Sequence, residues 1–220
     1  MSGNTGYWQT VANEIRVVAE NRQIKYLLHF TQLKNLPGIL RHGLRSRSEL
    51  KTAGYVVYAS AADRIDGKDD AISVSITCFY PKMFESKRRE AGDEAWAFLL
   101  LDASILWRFP CNFHRRGLAR SAAQNALGKL YGHFALQKLF DDEVFRKSCG
   151  LPDFCPTYPD AEVQIMASIV PPEFVVGIWV ESDLHAGHVQ SMLKMAGTTV
   201  GEIAVQAFKP RLQSKPYFWG

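Results

Sequence analysis

Apolar and polar residues follow one another with two different periods along this chain. Over 71–77, Ile and Val alternate with Ser, and this period of two predicts a half-buried strand. Unbroken apolar runs over 96–102 and 175–180 are typical of strands buried in the centre of a sheet. The strands predicted in this way are 25–31, 71–77, 96–102, 162–169, 175–180 and a last one within 198–208.

Helical spacing of apolar residues over 11–22 predicts an amphipathic helix near the start of the chain. A second helix is predicted after Asn35, because a cap residue followed by Pro37 in the first turn is typical of a helix start, and Gly43 ends it. The segment 46–70 is polar, and a long connection inside a compact domain is usually functional or mobile. Further helices are predicted at 104–107, 121–140 and 184–195, and loops at 112–120 and 153–159.

The predicted strands and helices are mixed without regular strand–helix–strand alternation. That order favours an α+β fold with mostly antiparallel pairing over a doubly wound parallel sheet. The sequence has no internal repeat and no interior linker. We therefore expect one domain over 1–220, with 1–24 as an N-terminal helical extension.

Composition is that of an ordinary soluble globular protein, with 47% hydrophobic and 22% charged residues in 220. No run approaches the roughly 20 apolar residues that a membrane span needs, and the first residues lack the layout of a secretory signal. The four cysteines have no CxxC spacing, so neither a zinc site nor a disulfide framework is expected. A reduced, cytoplasmic protein is the default expectation.

The net charge of +4 is mildly basic, and the distribution of the basic residues is more informative than their number. Each cluster is open to two interpretations, as part of a solvated surface or as a contact to an anionic partner. The clusters are Arg41 with Arg45 and Arg47, Lys87 with Arg88 and Arg89, and His114 with Arg115, Arg116 and Arg120.

Three polar residues are candidates for chemistry, although each has an ordinary alternative. Glu162 begins an apolar strand and is either solvent-facing or in a cleft, whereas His29 lies inside a strand where a core imidazole is the common case. Arg64 is compatible with an exposed ion pair that adds little stability. We interpret the strands of His29 and Glu162 as two walls of one cleft, in which the imidazole and the carboxylate face each other.

Several catalytic motifs are absent from the sequence. No GxGxxG follows a strand and no Walker A loop occurs, so a bound nucleotide would not use a Rossmann or P-loop device. No GxSxG elbow occurs, and no His/Asn arrangement singles out Cys155 as a nucleophile. His185 and His188 are three residues apart, but no HExxH motif accompanies them, and we expect no metal.

Four blocks of residues stand out in order from about Tyr26 to Trp179. They are His29-Phe30-Thr31 with 35–40 and 43–44; 64–67 with 70–76 and Lys82-Met83-Phe84; 101–107; and 160–163 with 169–173. Together they resemble the DarT family of DNA-base ADP-ribosyltransferase toxins. Each block alone is weakly specific, but four in sequence order are fairly specific. The chain departs from the family pattern at Asp160, where members often have Gln before Ala-Glu.

The resemblance implies an ADP-ribosyltransferase-like α+β fold, in which a mixed, mostly antiparallel core is split into two sheets with flanking helices. It implies NAD as co-substrate, bound in the split without a metal. Glu162 would be the catalytic glutamate, and Arg64 would steady the pyrophosphate or the developing charge, a bidentate task that suits arginine. The implied NAD contacts are His29, Phe30, Thr31, Asn35, Arg64, Tyr80 and Met83.

The chemistry of NAD cleavage agrees with a glutamate in that role. Breaking the nicotinamide bond leaves positive charge on the anomeric carbon of the ribose. A carboxylate held against the adjacent hydroxyl stabilises this charge more than it stabilises the neutral ground state. The same carboxylate can take the proton from an attacking base nitrogen, which is general-base catalysis.

The implied substrate is a base in single-stranded DNA, and aromatic and basic side chains bind unpaired strands by stacking and phosphate contacts. In such transferases the residue two before the glutamate lies near the acceptor. An acid at Asp160 therefore leaves both thymidine and guanosine open. The implied DNA contacts are Arg115, Arg116, Arg120, Phe154, Tyr158 and Asp160.

The resemblance further implies a cytoplasmic toxin, encoded by a bacterium or a phage, with a cognate antitoxin of the macrodomain type or another ADP-ribosyl hydrolase. An alternative is an NAD-dependent transferase that modifies protein or RNA, which acceptor profiling would separate. A catalytically silent nucleic-acid-binding domain would bind oligonucleotides without releasing nicotinamide. A purely structural module would do neither.

Overall fold

The computed structural model describes residues 3–55, 69–79, 81–115, 130–195 and 203–207, with side chains from residue 6 onward. The strands are β1 (Tyr26–Gln32), β2 (Leu44–Arg45), β3 (Ile72–Ile76), β4 (Trp96–Asp102), β5 (Cys111–Arg115), β6 (Ala161–Ile165), β7 (Ile169–Val170), β8 (Val175–Val180) and β9 (Ala204–Ala207). The helices are α1 (Gly3–Asn21), α2 (Leu36–His42), α3 (Arg47–Thr52), α4 (Pro81–Ala91), α5 (Ile105–Arg108), α6 (His133–Gln137), α7 (Glu143–Cys149) and α8 (Asp183–Met195).

Seven strands form one mixed sheet in the order β5-β6-β3-β1-β4-β8-β9, and β2 pairs with β7 in a small second sheet. Every pairing among the described strands is antiparallel except that of β8 with β9. Strands that are neighbours in the sheet are mostly distant in sequence. The α+β class and the mostly antiparallel pairing predicted from the sequence are therefore confirmed.

The large sheet is weakly joined between β1 and β3. These strands pair only at Leu27 with Ile76 and at Leu28 with Ser75, whereas β1 pairs with β4 along its whole length. Past Leu28, no further residue of β1 is paired with β3 in the described part of the chain. The sheet is thus split into a block of β1, β4, β8 and β9 and a block of β3, β6 and β5.

The two faces of the sheet are covered differently. On one face, alternate strand residues join the main core with the inner side of α1, which contributes Ile15 and Val18. On the other face, α4 inserts Phe84 into a second cluster over the β1–β4 block. We call this second group the aromatic cluster, and it comprises Phe30, Phe79, Phe84, Trp96 and Phe98.

The central strands predicted from unbroken apolar runs agree with the structure. The predictions for β4 and β8 match the structure at both ends, and α8 begins one residue earlier than predicted. The N-terminal helix is longer than its apolar stripe, since it starts at Gly3. The strand predicted over 162–169 ends at Ile165, and the chain pairs again only in β7.

The interpretation of 112–120 as a loop is wrong for its described part. Cys111–Arg115 is strand β5, in which buried Cys111 and Phe113 alternate with Asn112 and His114. The neighbouring arginines hid this alternation. Residues 116–129, which include the first nine positions of the predicted helix 121–140, lie outside the described residues, and the described remainder of that helix holds α6 and a 3-10 turn over 138–140.

Within the described ranges, no helix is long and apolar enough to cross a membrane, and no group of three His, Cys, Asp or Glu residues could hold a metal ion. All four cysteines are free thiols. Cys155 and Cys78 are neighbours, with their Sγ atoms 3.7 Å apart.

Candidate active site at the split of the sheet

His29 lies on β1 directly after the last residue that pairs with β3. Its Nδ1 is 2.9 Å from the main-chain oxygen of Ser73, on β3. Because a carbonyl can only accept, Nδ1 donates this hydrogen bond, and Nε2 is the acceptor in the neutral ring. The imidazole therefore bridges the two blocks of the sheet at the start of the split.

Thr31 and Asn35 are joined at the other end of β1. Asn35 Nδ2 donates to Thr31 Oγ1 at 3.0 Å. Asn35 occupies the N-cap position of α2, as the sequence predicts, but its side chain makes no capping bond. The amide instead ties the loop before α2 to the strand of His29.

Phe30 alternates with His29 and Thr31 and so belongs to the other face of β1. Its ring packs edge-on against Phe84, with centroids 5.3 Å apart, and against Trp96 at 5.9 Å. The structure therefore places this predicted NAD contact, half-buried, against the aromatic cluster.

Met83 precedes Phe84 on α4 and is half-buried, on the helix that covers the aromatic cluster. It is the only predicted NAD contact that the described residues place on this helix. Arg64 and Tyr80, also predicted as NAD contacts, lie outside the described residues.

Glu162 lies in β6 with 4% of its surface exposed. Its strand neighbours Ala161, Val163 and Ile165 alternate into the main core, which leaves Glu162 and Gln164 on the other face. Gln164 is paired with Asn112 on one side and with Ser73 on the other, and Glu162 is paired with His114. We call this set the polar face, and it comprises Ser73, Asn112, His114, Glu162 and Gln164.

The polar face and the aromatic cluster occupy the same side of the sheet. Leu28, which packs in the aromatic cluster, is paired with Ser75, and Ser75 shares its side with Ser73. Along this side, the covering changes from aromatic to polar at the split between β1 and β3. Three members of the polar face, His114, Glu162 and Gln164, are buried. A few polar groups beside aromatic side chains are the lining that ligand sites typically have.

The sequence predicts that the His29 imidazole and the Glu162 carboxylate face each other across a cleft, and the structure does not show this arrangement. One strand, β3, lies between them, and the pairing of Leu28 with Ser75 puts His29 on the face opposite Glu162. The two groups flank β3, about two strand spacings or roughly 10 Å apart in the plane of the sheet. An extended dinucleotide is longer than this separation.

Three predicted DNA contacts come together where β5 ends and β6 begins. Arg115 Nε is 3.2 Å from Asp160 Oδ1, and its guanidinium carbon lies 4.1 Å from the ring centroid of Tyr158. Tyr158 donates to Asp141 Oδ1 at 2.8 Å. This hydrogen bond raises the pKa of Tyr158 above its ordinary value, because the phenol can donate it only while protonated.

The other predicted DNA contacts do not join this cluster within the described residues. Phe154 packs in a third apolar cluster, with Cys78, Leu151 and Cys155. Arg116 and Arg120 lie outside the described residues.

Sequence reasoning missed two buried polar residues, Arg146 and His114. Arg146, on α7, donates to the main-chain oxygens of Pro152 and Cys155 and so holds the loop that leads into β6. His114 was read only as part of a basic cluster. The alternation of Cys111 and Phe113 with polar residues was the signal that could have placed it in a strand.

A family model described as "ssDNA thymidine ADP-ribosyltransferase, DarT" matches residues 28–209. A search of curated proteins finds no match.

The solved structures of DarT from Thermus sp. 2.9 have the same fold. The complex with carba-NAD+ is 17% identical, with a TM-score of 0.57, over 85% of this chain and 96% of that one. The complex with ADP-ribosylated single-stranded DNA is 17% identical, with a TM-score of 0.57, over 85% of this chain and 95% of that one. The complex with NAD+ is 16% identical, with a TM-score of 0.56, over 85% of this chain and 96% of that one.

These likenesses confirm the predicted ADP-ribosyltransferase-like fold. The family model, in turn, spans most of the chain and includes β1, β3 and β6, on which the site is built. The protein therefore belongs to the DarT family of single-stranded-DNA thymidine ADP-ribosyltransferases.

Proposed function

We propose that this protein transfers ADP-ribose from NAD+ to a thymidine base of single-stranded DNA and releases nicotinamide, with Glu162 as its catalytic carboxylate. Family membership gives the reaction. The observation that supports the residue is the position of Glu162, a carboxylate buried on the polar face beside the split. The Thermus DarT complexes support NAD+ as the donor and single-stranded DNA as the acceptor.

Glu162 has two tasks in this reaction. Its carboxylate stabilises the positive charge that develops on the ribose as the bond to nicotinamide breaks. It then accepts the proton that the thymine N3 loses on forming the new bond to the anomeric carbon. A glycosidic bond is exchanged and no phosphate ester is formed, so this is glycosyl transfer, and nothing supports nucleotidyl transfer.

We assign NAD+ to the split between β1 and β3 because several of its contacts implied by the family resemblance lie along that split. His29, with its Nδ1 proton committed to Ser73, presents an acceptor at Nε2 for a ribose hydroxyl. Thr31 and Asn35, held together by their hydrogen bond, form the opposite end of the same strand. Met83 packs on the dinucleotide from α4. Arg64 and Tyr80 complete the set, as implied by the family resemblance.

The acceptor strand is assigned to the other side of Glu162, at the cluster of Arg115, Tyr158 and Asp160. Arg115 supplies positive charge and Tyr158 an aromatic face, the two features that bind unpaired strands. Asp160 is paired with Arg115, which offsets part of the negative charge that would otherwise repel the phosphates of the DNA. Arg116 and Arg120 extend the basic character along the chain, and Phe154 supplies a further ring nearby in sequence.

The cellular role follows from the damage that such a reaction causes. A bulky, charged ADP-ribose on thymine blocks base pairing, so the enzyme acts as a toxin in the cytoplasm of a bacterium. We infer a cognate antitoxin, of the macrodomain type or another ADP-ribosyl hydrolase, that removes the modification or blocks the enzyme. Growth arrest on expression, rescued by such a hydrolase, is the expected observation.

Four short oligonucleotides, each with one kind of base in a common context, test the function directly. Incubated with NAD+ and the purified protein, only the thymidine oligonucleotide should gain the mass of one ADP-ribose. Glu162→Ala and Arg64→Ala should abolish this gain and keep the wild-type unfolding temperature. Glu173→Gln, an exposed carboxylate on a turn, is the matched control and should retain activity.

Other outcomes identify which part of the proposal is wrong. Mass gain on guanosine alone would correct the acceptor base. Mass gain only on the protein itself would overturn DNA as the substrate. Nicotinamide release that persists in Glu162→Ala would overturn the assignment of the glutamate.

A further inference from the structure

We propose that His114 is an acceptor-binding residue, whose imidazole hydrogen-bonds a carbonyl oxygen of the thymine that is modified. This inference rests on the proposed function and adds a residue to it. Neither the sequence motifs nor the family resemblance singles out this histidine.

The first observation is the state of the His114 side chain. Only 5% of the residue is exposed, and neither Nδ1 nor Nε2 has a hydrogen-bond partner among the described residues. Buried polar atoms are nearly always hydrogen-bonded, and an exception in a native protein calls for an explanation such as a catalytic role or a bound water or ion. The imidazole has a donor and an acceptor to offer, and no described residue uses either of them.

The second observation is register. His114 on β5 is directly opposite Glu162 on β6. Residues paired in this way share a face of the sheet, with Cβ atoms about 4.5–5.5 Å apart. A base hydrogen-bonded to His114 would therefore lie beside the carboxylate that must take its proton.

The third observation is the order of strands across the site, which is β1, β3, β6 and β5. Two of the groups assigned to NAD+, His29 and Thr31, are on β1, the reacting carboxylate is on β6, and His114 is on the far side of Glu162. The next residue along β5 is Arg115, whose side chain alternates to the opposite face of the sheet and is paired with Asp160 in the cluster assigned to DNA, at the end of the strand. His114 is thus on the acceptor side of the reacting atoms.

Thymine chemistry fits an imidazole at this position. N3 is the one ring nitrogen that carries a hydrogen, and a carbonyl oxygen flanks it on each side. As N3 bonds to the anomeric carbon and passes its proton to Glu162, negative charge builds up on those oxygens. A hydrogen bond from the His114 N–H stabilises this charge in the transition state more than in the ground state.

The test compares two reactions of one enzyme. Transfer to a thymidine oligonucleotide needs the acceptor base, whereas slow hydrolysis of NAD+ by water, measured without DNA, needs only the donor site and Glu162. His114→Ala should lower kcat/KM for transfer on the order of 10- to 100-fold and leave hydrolysis within about twofold. His114→Asn, which keeps a hydrogen-bond donor near the position of Nδ1, should recover part of the transfer.

His133→Ala is the matched control, because His133 lies on α6 and its ring is bonded to Glu14. It should change neither reaction. The stabilisation of each variant by NAD+ in thermal unfolding shows that the donor site is intact. If the alanine variant does not fold, His114→Asn and His114→Gln are compared with each other in the same two assays.

Equal loss of transfer and hydrolysis would overturn the proposal, because His114 would then act by holding Glu162 or the sheet. Unchanged transfer in folded His114→Ala would also overturn the role of His114, but it would not contradict the proposed function. Absence of transfer in the wild-type enzyme would instead overturn the proposed function, and this inference with it.

Discussion

At the scale of single residues, burial and register decide which of the candidates can act together. Glu162 could be singled out from the sequence because a carboxylate interrupts an apolar strand. His114 could not, because its importance depends on pairing with a strand almost fifty residues away. Asn35 is a second case in which the sequence alone does not give the contact. Its position before Pro37 predicts a helix cap, but its side chain donates to Thr31 and makes no capping bond.

The thiol of Cys111, next to the polar face on β5, makes stability sensitive to alkaline pH. Burial raises its pKa from 9.0 to about 12. Because the folded pKa lies above the unfolded one, the stabilisation is fully present below pH 9 and is lost as pH rises from about 9 to 12. The full effect is on the order of a few kcal/mol.

Urea unfolding in the presence of reductant, at several pH values between 7.5 and 10.5, measures this effect. Cys111→Ala should be less stable at pH 7.5, where the wild type still has its buried thiol, and should lose less stability as the pH rises. Cys149→Ala, at a half-buried thiol, is the control and should keep the wild-type slope. A Cys111→Ala slope as steep as that of the wild type would contradict this account.

At the scale of elements, the apolar runs that were long and unbroken gave β4 and β8 correctly, because burial on both faces leaves no room for another pattern. The helices α3, α4 and α7 were missed, since each is short or rich in charged residues and owes its stability to packing and caps. Ser46, for example, caps α3 by accepting from the main-chain nitrogen of Glu49 at 3.2 Å. Strand β5 was missed because its arginine-rich surroundings suggested a loop.

Gly43, between α2 and β2, is a position where the element boundary depends on one residue. Its φ is +83°, and a Cβ there would lie 2.5 Å from the main-chain oxygen of Val170 on β7. Gly43→Ala should therefore lower the free energy of unfolding by about 2 kcal/mol or more, because it adds a clash to a strained backbone. It should also weaken NAD+ binding, since α2 follows the loop of Asn35.

Gly38→Ala is the matched control within the same helix. Nothing lies within 4 Å of a Cβ at Gly38, and alanine favours helix, so the variant should gain about 0.5–1 kcal/mol. Chemical denaturation of both variants measures the difference. Equal stability of the two variants would show that the close contact with Val170 does not matter.

At the scale of the whole molecule, the strand order is the feature that the sequence alone could not give. The split depends on β1 and β3 pairing at only two positions, and β3 reaches the block of Glu162 through pairs distant in the chain. The family resemblance implied a split core, whereas the residues themselves indicated only an α+β fold with antiparallel pairing. The reaction and the roles of the site residues were implied by that resemblance and not by the pattern of strands and helices.

The basic charge of the molecule predicts that DNA binding weakens with salt. For single strands, the logarithm of the binding constant falls with the logarithm of salt concentration by about 0.7 for each phosphate neutralised. Arg115→Gln should reduce this slope by about one such unit, measured by fluorescence anisotropy of a labelled oligonucleotide. Arg16→Gln, at an arginine on α1 paired with Glu20, is the control and should not change it. An unchanged slope in Arg115→Gln would remove Arg115 from the DNA path.

The most direct test of the account is the mass of an oligonucleotide with a single thymidine after one enzyme turnover with NAD+. We predict the addition of one ADP-ribose by the wild type, and a rate lower by about 10²–10⁴-fold in Glu162→Gln, which keeps the volume of the buried side chain. Transfer by Glu162→Gln at the wild-type rate, or an ADP-ribose carried anywhere but on that thymidine, would contradict it.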